Sequence, residues 1–119
     1  MKTILVVDDE FGFAEALSSA LTDEGYRVFT AQDGRQGWLA ANDVNPDLLL
    51  TDFMMPIADG PSLIRDLRAT ERFKTLPVIL MSAVAEPQVR ALTSEYQVFL
   101  RKPFDLRSLL ATIRKLLPA

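Results

Sequence analysis

The sequence contains neither cysteine nor histidine. The absence of cysteine excludes a disulfide, a thiolate metal site and a thiol nucleophile. The absence of histidine removes the side chain that most often serves as a general base or as a ligand for transition metals. The side chains left for chemistry are carboxylates, hydroxyls and amines, a set that suits hard cations and phosphate groups.

The sequence also lacks an excess of basic residues and any long apolar segment. It carries 13 lysines and arginines against 16 acidic residues, for a formal charge of -3, whereas a nucleic-acid-binding face would need a basic excess. No apolar run reaches the roughly 18 residues of a membrane-spanning helix, and no signal peptide is visible. We therefore expect a cytoplasmic protein with no membrane contact and no direct nucleic-acid partner.

The length of 119 residues and the apolar share of 49% suffice for one domain with a hydrophobic core and not for two. We expect a single domain over residues 1–119 with no output domain in the chain. Excision from a longer protein is the alternative.

The segment Pro46–Gly60 organises the rest of the chain. Within it, Leu48–Thr51 is a short, nearly all-apolar run, which is typical of a strand buried on both faces of a parallel sheet. Asp52 follows directly, and Pro56 and Gly60 then break the chain into a loop. The pattern predicts a carboxylate at the carboxyl end of a central strand, where open α/β sheets bind their ligands.

Strands and helices are predicted to alternate along the chain. Apolar and β-branched runs predict five strands, at residues 2–7, 27–31, 48–51, 78–81 and 97–100. Helices follow each strand, the fourth being a short one that begins near Pro87 and holds Val89 and Leu92. Phe29 and Trp38 are expected in the core. This order predicts a flavodoxin-like, doubly wound (βα)5 fold, a five-stranded parallel sheet with strand order 2-1-3-4-5.

Polar side chains follow four of the five predicted strands. They are Asp8, Asp9, Asp52, Ser82 and Lys102. The strand order makes these four strands neighbours, so the five residues should meet at one edge of the sheet. Three close carboxylates repel one another and all stay ionised only with a cation among them. Oxygen ligands with some bound water favour Mg²⁺, which we predict as the cofactor.

Such a site can form an aspartyl phosphate. Asp52 would be the nucleophile, Lys102 and Mg²⁺ would neutralise the developing charge, and Ser82 would hydrogen-bond a phosphoryl oxygen. Because phosphoryl transfer depends mainly on positioning and electrostatics, the lack of histidine is no obstacle. A donor must supply the phosphate.

Short motifs follow the predicted strands in a fixed order that covers the whole chain. They are Val7-Asp8-Asp9, Asp52 with Met55-Pro56 and Asp59-Gly60, Ser82-Ala83, and Lys102-Pro103-Phe104. This set closely resembles the CheY-like receiver domain of two-component response regulators.

The resemblance implies a role for each matching residue. Asp52 would be the phosphoacceptor, with Asp9 a direct Mg²⁺ ligand, Asp8 a ligand through water, and Met54 a direct ligand through its backbone carbonyl. Three further positions are implied: Ser82 and Lys102 would contact the phosphoryl group, and Ser82 and Phe99 would be the switch residues. The Lys102-Pro103 peptide bond would be cis.

The resemblance also implies a signalling module rather than an enzyme. A sensor histidine kinase or a histidine phosphotransfer protein would phosphorylate Asp52, and the phosphorylated domain would bind an unknown downstream protein. We expect a monomer or a weak homodimer.

Each site residue also has a simpler structural explanation when taken alone. Asp8 and Asp9 could place negative charge at the amino end of a helix, Asp52 could accept hydrogen bonds from loop N–H groups, and Lys102 could be a surface or ion-pair residue. Serine at a strand end is ordinary, so the role of Ser82 depends on the other four residues.

Two other functions stay open. A pseudo-receiver would bind its partners without phosphorylation, although the acidic pair, Asp52 and Lys102 argue against it. A haloacid-dehalogenase-type phosphatase also forms an aspartyl phosphate, but would want a second aspartate two residues after the nucleophile. Met54 stands at that position.

The sequence departs from the family in two places. Met54 and Val84 are apolar where family members often carry polar side chains, and we hypothesise that poorly oriented water makes the phosphoryl group long-lived. The segment Thr93–Tyr96 replaces a Gly-Ala pair that family members often have. The fourth helix is therefore poorly specified, and we do not transfer the partner-binding face of other family members to this chain.

Overall fold

The computed structural model describes residues 1–118 and contains alternating strands and helices. The strands are β1 (Thr3–Val7), β2 (Arg27–Ala31), β3 (Leu48–Asp52), β4 (Val78–Ser82) and β5 (Val98–Arg101). The helices are α1 (Phe11–Asp23), α2 (Gly34–Val44), α3 (Gly60–Arg68), α4 (Glu86–Arg90) and α5 (Leu106–Leu116). A 3-10 turn at Glu71–Phe73, which the sequence pattern did not predict, lies between α3 and β4.

The five strands form one parallel sheet in the order β2-β1-β3-β4-β5. This confirms the flavodoxin-like fold with strand order 2-1-3-4-5. Every residue of β3 and of β4 is buried, whereas β2 and β5 form the edges and are partly exposed. The continuous apolar runs of the sequence are explained by this burial, because helices cover both faces of a parallel sheet.

The alternation of side chains along the strands divides the core into two layers. Leu5, Val7 and Leu49 pack on the face covered by α2 and α3. Ile4 and Leu50 point to the opposite face. There they pack against residues of α1 and α5, namely Ala14, Leu17, Leu21, Leu109 and Ile113.

Three helices begin with an aspartate that caps the first turn. The side chains of Asp33, Asp59 and Asp105 accept hydrogen bonds from the backbone N–H three residues later, at 2.8, 2.9 and 2.7 Å. Such caps satisfy N–H groups that a helix leaves without an internal partner. They fix where α2, α3 and α5 begin.

The loop after Asp52 is fixed in place by two glycines. Gly60 donates its N–H to the carbonyl of Phe53 at 2.9 Å, and a Cβ atom at this position would overlap the carbonyl oxygen of Asp52. Gly34 donates to the carbonyl of Ala58 at 2.7 Å, and a Cβ there would overlap that oxygen. The starts of α2 and α3 therefore lie directly against the loop.

Phe29, a predicted core residue, and Leu92, predicted within the fourth helix, are both exposed. Phe29 lies on the edge strand β2, where the sheet has a neighbour on one side only, and it is 38% exposed. Leu92 is 66% exposed because α4 ends at Arg90 and the chain continues in turns. Trp38 is half-buried, so it only partly meets the expectation of a core residue.

Candidate functional site

The carboxyl ends of four strands bring the predicted site residues together. Asp8 follows β1, Asp52 ends β3, Ser82 ends β4, and Lys102 follows β5. The Lys102 amine and the Asp8 carboxylate are in contact although they lie 94 residues apart in the sequence. The strand order is the cause, because it makes β1, β3, β4 and β5 neighbours at one edge.

Three carboxylates form a tight acidic cluster at this edge. One oxygen each from Asp8, Asp9 and Asp52 lies within 4.8 Å of the others. Asp8 is fully buried, Asp52 is 9% exposed, and Asp9 is exposed. Asp8 also accepts a hydrogen bond from the backbone N–H of Glu10 at 2.9 Å. An all-oxygen set with one open side fits a hard divalent cation that keeps some bound water, as Mg²⁺ does.

The surroundings of Asp52 disfavour its ionised form. Burial raises the pKa of this carboxyl from 3.8 to about 6, and the charge of Asp8 acts in the same direction. The ammonium of Lys102 lies 3.2 Å from the Oδ1 atom of Asp52 and partly offsets both effects. A cation among the three carboxylates would favour the ionised form that a nucleophile requires.

Lys102 connects the two buried carboxylates. Its Nζ atom donates a hydrogen bond to Oδ2 of Asp8 at 3.0 Å and lies 3.9 Å from Oε1 of Glu10. Burial lowers the pKa of Lys102, but the hydrogen bond to Asp8 and the charges of Asp52 and Asp8 outweigh it, so the net shift is upward. The amine is therefore charged at neutral pH. The Lys102-Pro103 bond is cis, as the sequence resemblance implied.

A small cavity lies beside Asp52 and Lys102. Its volume is about 140 Å³, and its walls include Met54, Ser82 and Val84. The hydroxyl of Ser82 donates to the carbonyl of Val84 at 3.1 Å and accepts from the N–H of the same residue at 2.8 Å. Since a water molecule takes roughly 30 Å³ in the liquid, the cavity has room for a group the size of a phosphoryl.

Phe99 lies near the site but does not line this cavity. It is half-buried in β5 and lies opposite Leu80 of β4. Leu80 precedes Ser82 by two residues. Its ring packs against Tyr96 with 6.2 Å between the centroids. The hydroxyl of Tyr96 donates to Glu86 of α4 at 2.8 Å, so Tyr96 connects the ring of Phe99 to α4.

Two residues at the site escaped prediction from the sequence. Glu10 lines the cavity, and its signal was available because it directly follows the acidic pair. Phe13 of α1 lies with its ring centroid 4.5 Å from the Nζ atom of Lys102. Nothing in the sequence indicated the contact of this ring with an amine.

Residues 4–114 match the family of response regulator receiver domains. The chain belongs to this family. Phosphorylation and the use of Mg²⁺ are typical of receiver domains in two-component signalling. These domains are signalling modules that interact with histidine kinases and downstream effectors.

Similar curated proteins are longer than this chain. The receiver domain is 35% identical over 119 residues to the DNA-binding dual master transcriptional regulator RpaA of Synechocystis sp., a match that covers 98% of this chain and 49% of that protein. The chain spans about half the length of the curated relatives that it matches.

Solved structures confirm the fold. The chemotaxis response regulator CheY4 of Vibrio cholerae superposes with a TM-score of 0.89 at 29% identity, covering 98% of this chain and 99% of that one. The response regulator TrrA of Thermotoga maritima, solved in complex with Mg²⁺-BeF, gives a TM-score of 0.88 at 31% identity and covers 98% and 100%.

The structure contains no candidate for a membrane-spanning segment within residues 1–118. Each helix in this part of the chain is too short or too polar to cross a bilayer.

Proposed function

We propose that this receiver domain accepts a phosphoryl group on Asp52 and thereby changes the surface that binds a downstream protein. One observation supports the proposal most strongly. The carboxylate of Asp52 belongs to the acidic cluster, lies 3.2 Å from the ammonium of Lys102 and opens on a cavity of about 140 Å³. The nucleophile, a charge-neutralising group and the space for the transferred group are thus next to one another.

The chemistry is a displacement at phosphorus. A carboxylate oxygen of Asp52 attacks the phosphorus of the donor, and the bond from phosphorus to the leaving group breaks as the new O–P bond forms. The leaving group keeps the electron pair, and with a histidine kinase or a histidine phosphotransfer protein as donor it is an imidazole nitrogen. Lys102, 3.2 Å from Asp52, is placed to neutralise charge on the phosphoryl oxygens.

The acidic cluster would hold Mg²⁺ together with the backbone carbonyl of Met54. When bound, the ion supplies positive charge beside the phosphoryl oxygens. Asp9 is exposed and would coordinate directly, whereas Asp8 is buried and already accepts a hydrogen bond from Lys102. Asp8 is therefore better placed to act through a water molecule.

Phosphorylation would be sensed by Ser82 and Phe99. The modification adds about -1.5 to -2 charges, and we propose that the Ser82 hydroxyl leaves Val84 to donate to a phosphoryl oxygen. Shifting the equilibrium between the non-binding and the binding state of this surface from 1:99 to 99:1 needs roughly 5.5 kcal/mol. This is more than one hydrogen bond supplies. Ser82 and Phe99 would therefore move together, and β5 would change its contact with α4.

The partners in this proposal are a phosphodonor protein carrying a histidine and a downstream effector. Because the name of RpaA describes it as DNA-binding, the prediction of no direct nucleic-acid contact is not confirmed. We retain it as a proposal for the receiver domain alone, whose net charge is -3.

Intact mass after incubation with acetyl phosphate and Mg²⁺ tests the acceptor. Wild type and the exposed control Asp43→Asn are expected to gain one phosphoryl group, and Asp52→Asn none. A chelator should abolish the gain. If neither acetyl phosphate nor a panel of histidine-phosphorylated kinases and phosphotransfer proteins modifies the wild type, phosphorylation-independent binding replaces this proposal.

A further inference from the structure

The ring of Phe13 covers the amine of Lys102 on the side that faces α1. The ring centroid lies 4.5 Å from the Nζ atom, within the roughly 6 Å over which a cation is attracted to an aromatic face. The Lys102 side chain is 16% exposed. Burial of the pair strengthens this attraction, since water competes less for the charge.

We propose that Phe13 is a positioning residue for phosphoryl transfer, and that its ring holds the Lys102 ammonium against Asp8 and Asp52. The inference rests on the proposed function of Asp52. It assigns to α1 a task beyond covering the sheet, because Phe13 lies on that helix and Lys102 follows β5.

The amine has three N–H donors to direct. Two carboxylates lie within hydrogen-bond range, Asp8 at 3.0 Å and Asp52 at 3.2 Å. A third carboxylate, Glu10, is 3.9 Å away and its side chain is 71% exposed, so it offers the amine a path toward solvent. The ring of Phe13 favours the buried position over that path, because the attraction acts only while the amine stays at the aromatic face.

Phe104 holds the ring of Phe13 in its orientation. The two rings meet edge to face, with 6.0 Å between the centroids and 76° between the planes, an arrangement that aromatic quadrupoles favour. Phe104 follows Lys102 by two residues, so the same loop provides both the amine and the support for the ring. A lysine side chain has four rotatable carbon bonds, and this contact removes part of its freedom before any donor arrives.

Ring-current shifts test the contact without any phosphorylation. In wild type, the ε-methylene protons of Lys102 are expected upfield of their usual position, and Phe13→Leu should return them to it. Phe13→Tyr, which keeps the aromatic face, should preserve the shift. Ordinary Lys102 shifts in the wild type would overturn the proposal.

Fluorination of the Phe13 ring tests the role in transfer. Each added fluorine weakens the negative face of the ring and changes its shape little, so packing is preserved. The rate constant for phosphorylation by acetyl phosphate, at saturating Mg²⁺, is expected to fall stepwise through the mono-, di- and trifluoro series. We expect about a threefold total loss, and about fivefold for Phe13→Leu.

The same fluorinated series at Phe73 is the matched control. Phe73 is buried and also lies beside a cation, Arg72, at 5.0 Å, but it does not line the cavity at Asp52. Its series should leave the rate unchanged. A flat rate across the Phe13 series would show that the ring acts only by packing and would overturn the proposal.

If the Lys102 shifts are present but the wild type accepts no phosphate, the proposed function has failed, and the role of Phe13 in transfer falls with it.

Discussion

At the scale of single residues, Asp52 combines burial with a charge that its surroundings disfavour. Its pKa in the folded protein is raised from 3.8 to about 6 by burial and by Asp8. A raised acid pKa means that the folded state holds its proton while the unfolded state releases it. Ionised Asp52 therefore destabilises the metal-free fold, fully so above about pH 6 and not at all below about pH 4.

We expect Asp52→Asn to be more stable than wild type in chelator at pH 7.5. The gain should be roughly 2–3 kcal/mol, since one pKa unit corresponds to about 1.4 kcal/mol. It should decrease from pH 6 downward and vanish near pH 4. Chemical denaturation across this range is the measurement, with the exposed Asp43→Asn as control. A difference that does not depend on pH would refute this explanation.

We expect the residues beside Asp52 to control how water reaches the phosphoryl group. Met54, which is 65% exposed, and Val84, which is half-buried, line the cavity with apolar surface. Neither side chain can accept a proton from an attacking water, and general bases raise hydrolysis rates substantially.

The double variant Met54→Asn, Val84→Glu is expected to shorten the lifetime of the phosphorylated protein about tenfold or more. Decay is followed by intact mass after removal of the donor. Leu39→Asn, an apolar-to-amide change at an exposed position of α2, should leave the lifetime unchanged. Loss of the wild-type phosphoryl group within seconds would sink the hypothesis.

At the scale of elements, the join between β3 and α3 keeps Asp52 in place. A methyl group on Gly60 would overlap the Asp52 carbonyl oxygen, whereas a methyl on Gly12 in α1 would meet nothing within 4 Å. The two glycines can therefore be compared directly, because Gly60 lies against Asp52 and Gly12 has free space where a Cβ atom would lie.

Gly60→Ala is expected to destabilise the fold by about 1–3 kcal/mol, because the backbone must shift to make room. It should also slow phosphorylation, since the shift reaches Asp52. Gly12→Ala should instead stabilise by about 0.5 kcal/mol through helix propensity. Urea denaturation measures the stability of both variants, and phosphorylation assays measure their rates. Equal effects of the two substitutions would contradict the proposed role of Gly60.

The strands and helices also show how much of the fold and of the site could be predicted from the sequence. All five strands, their order and the edge where Asp8, Asp52 and Lys102 meet could be predicted, because buried parallel strands have continuous apolar runs and crossovers are right-handed. The exposure of Leu92 could not, since the end of α4 depends on packing that five residues do not encode locally. The contact of Phe13 with Lys102 likewise needs the packed structure.

At the scale of the whole molecule, we expect the stability of the fold to depend on metal binding at the acidic cluster. Oxygens of Asp8, Asp9 and Asp52 within 4.8 Å of one another repel in the metal-free protein, and a bound cation relieves that repulsion. The unfolded chain has no such cluster, so a cation that binds only the fold stabilises it by mass action.

Mg²⁺ is therefore expected to raise the free energy of unfolding, by about 2.7 kcal/mol at a concentration 100 times its dissociation constant. Asp9→Asn should remove most of the effect, while Asp23→Asn, an exposed change at the end of α1, should not. The stabilisation should weaken as the pH falls below about 6, because Asp52 then takes up a proton. Denaturation with and without Mg²⁺ provides the measurement, and equal stabilisation of wild type and Asp9→Asn would rule out the proposed ligand.

The contact between Asp8 and Lys102 spans 94 residues of the chain. During synthesis, the amino-terminal carboxylates leave the ribosome long before the lysine that neutralises them. A nascent chain therefore holds no complete site until β5 and the loop after it have emerged. A chain that stops before Lys102 lacks the amine that contacts Asp8 and Asp52, and we expect it to be unable to accept a phosphoryl group.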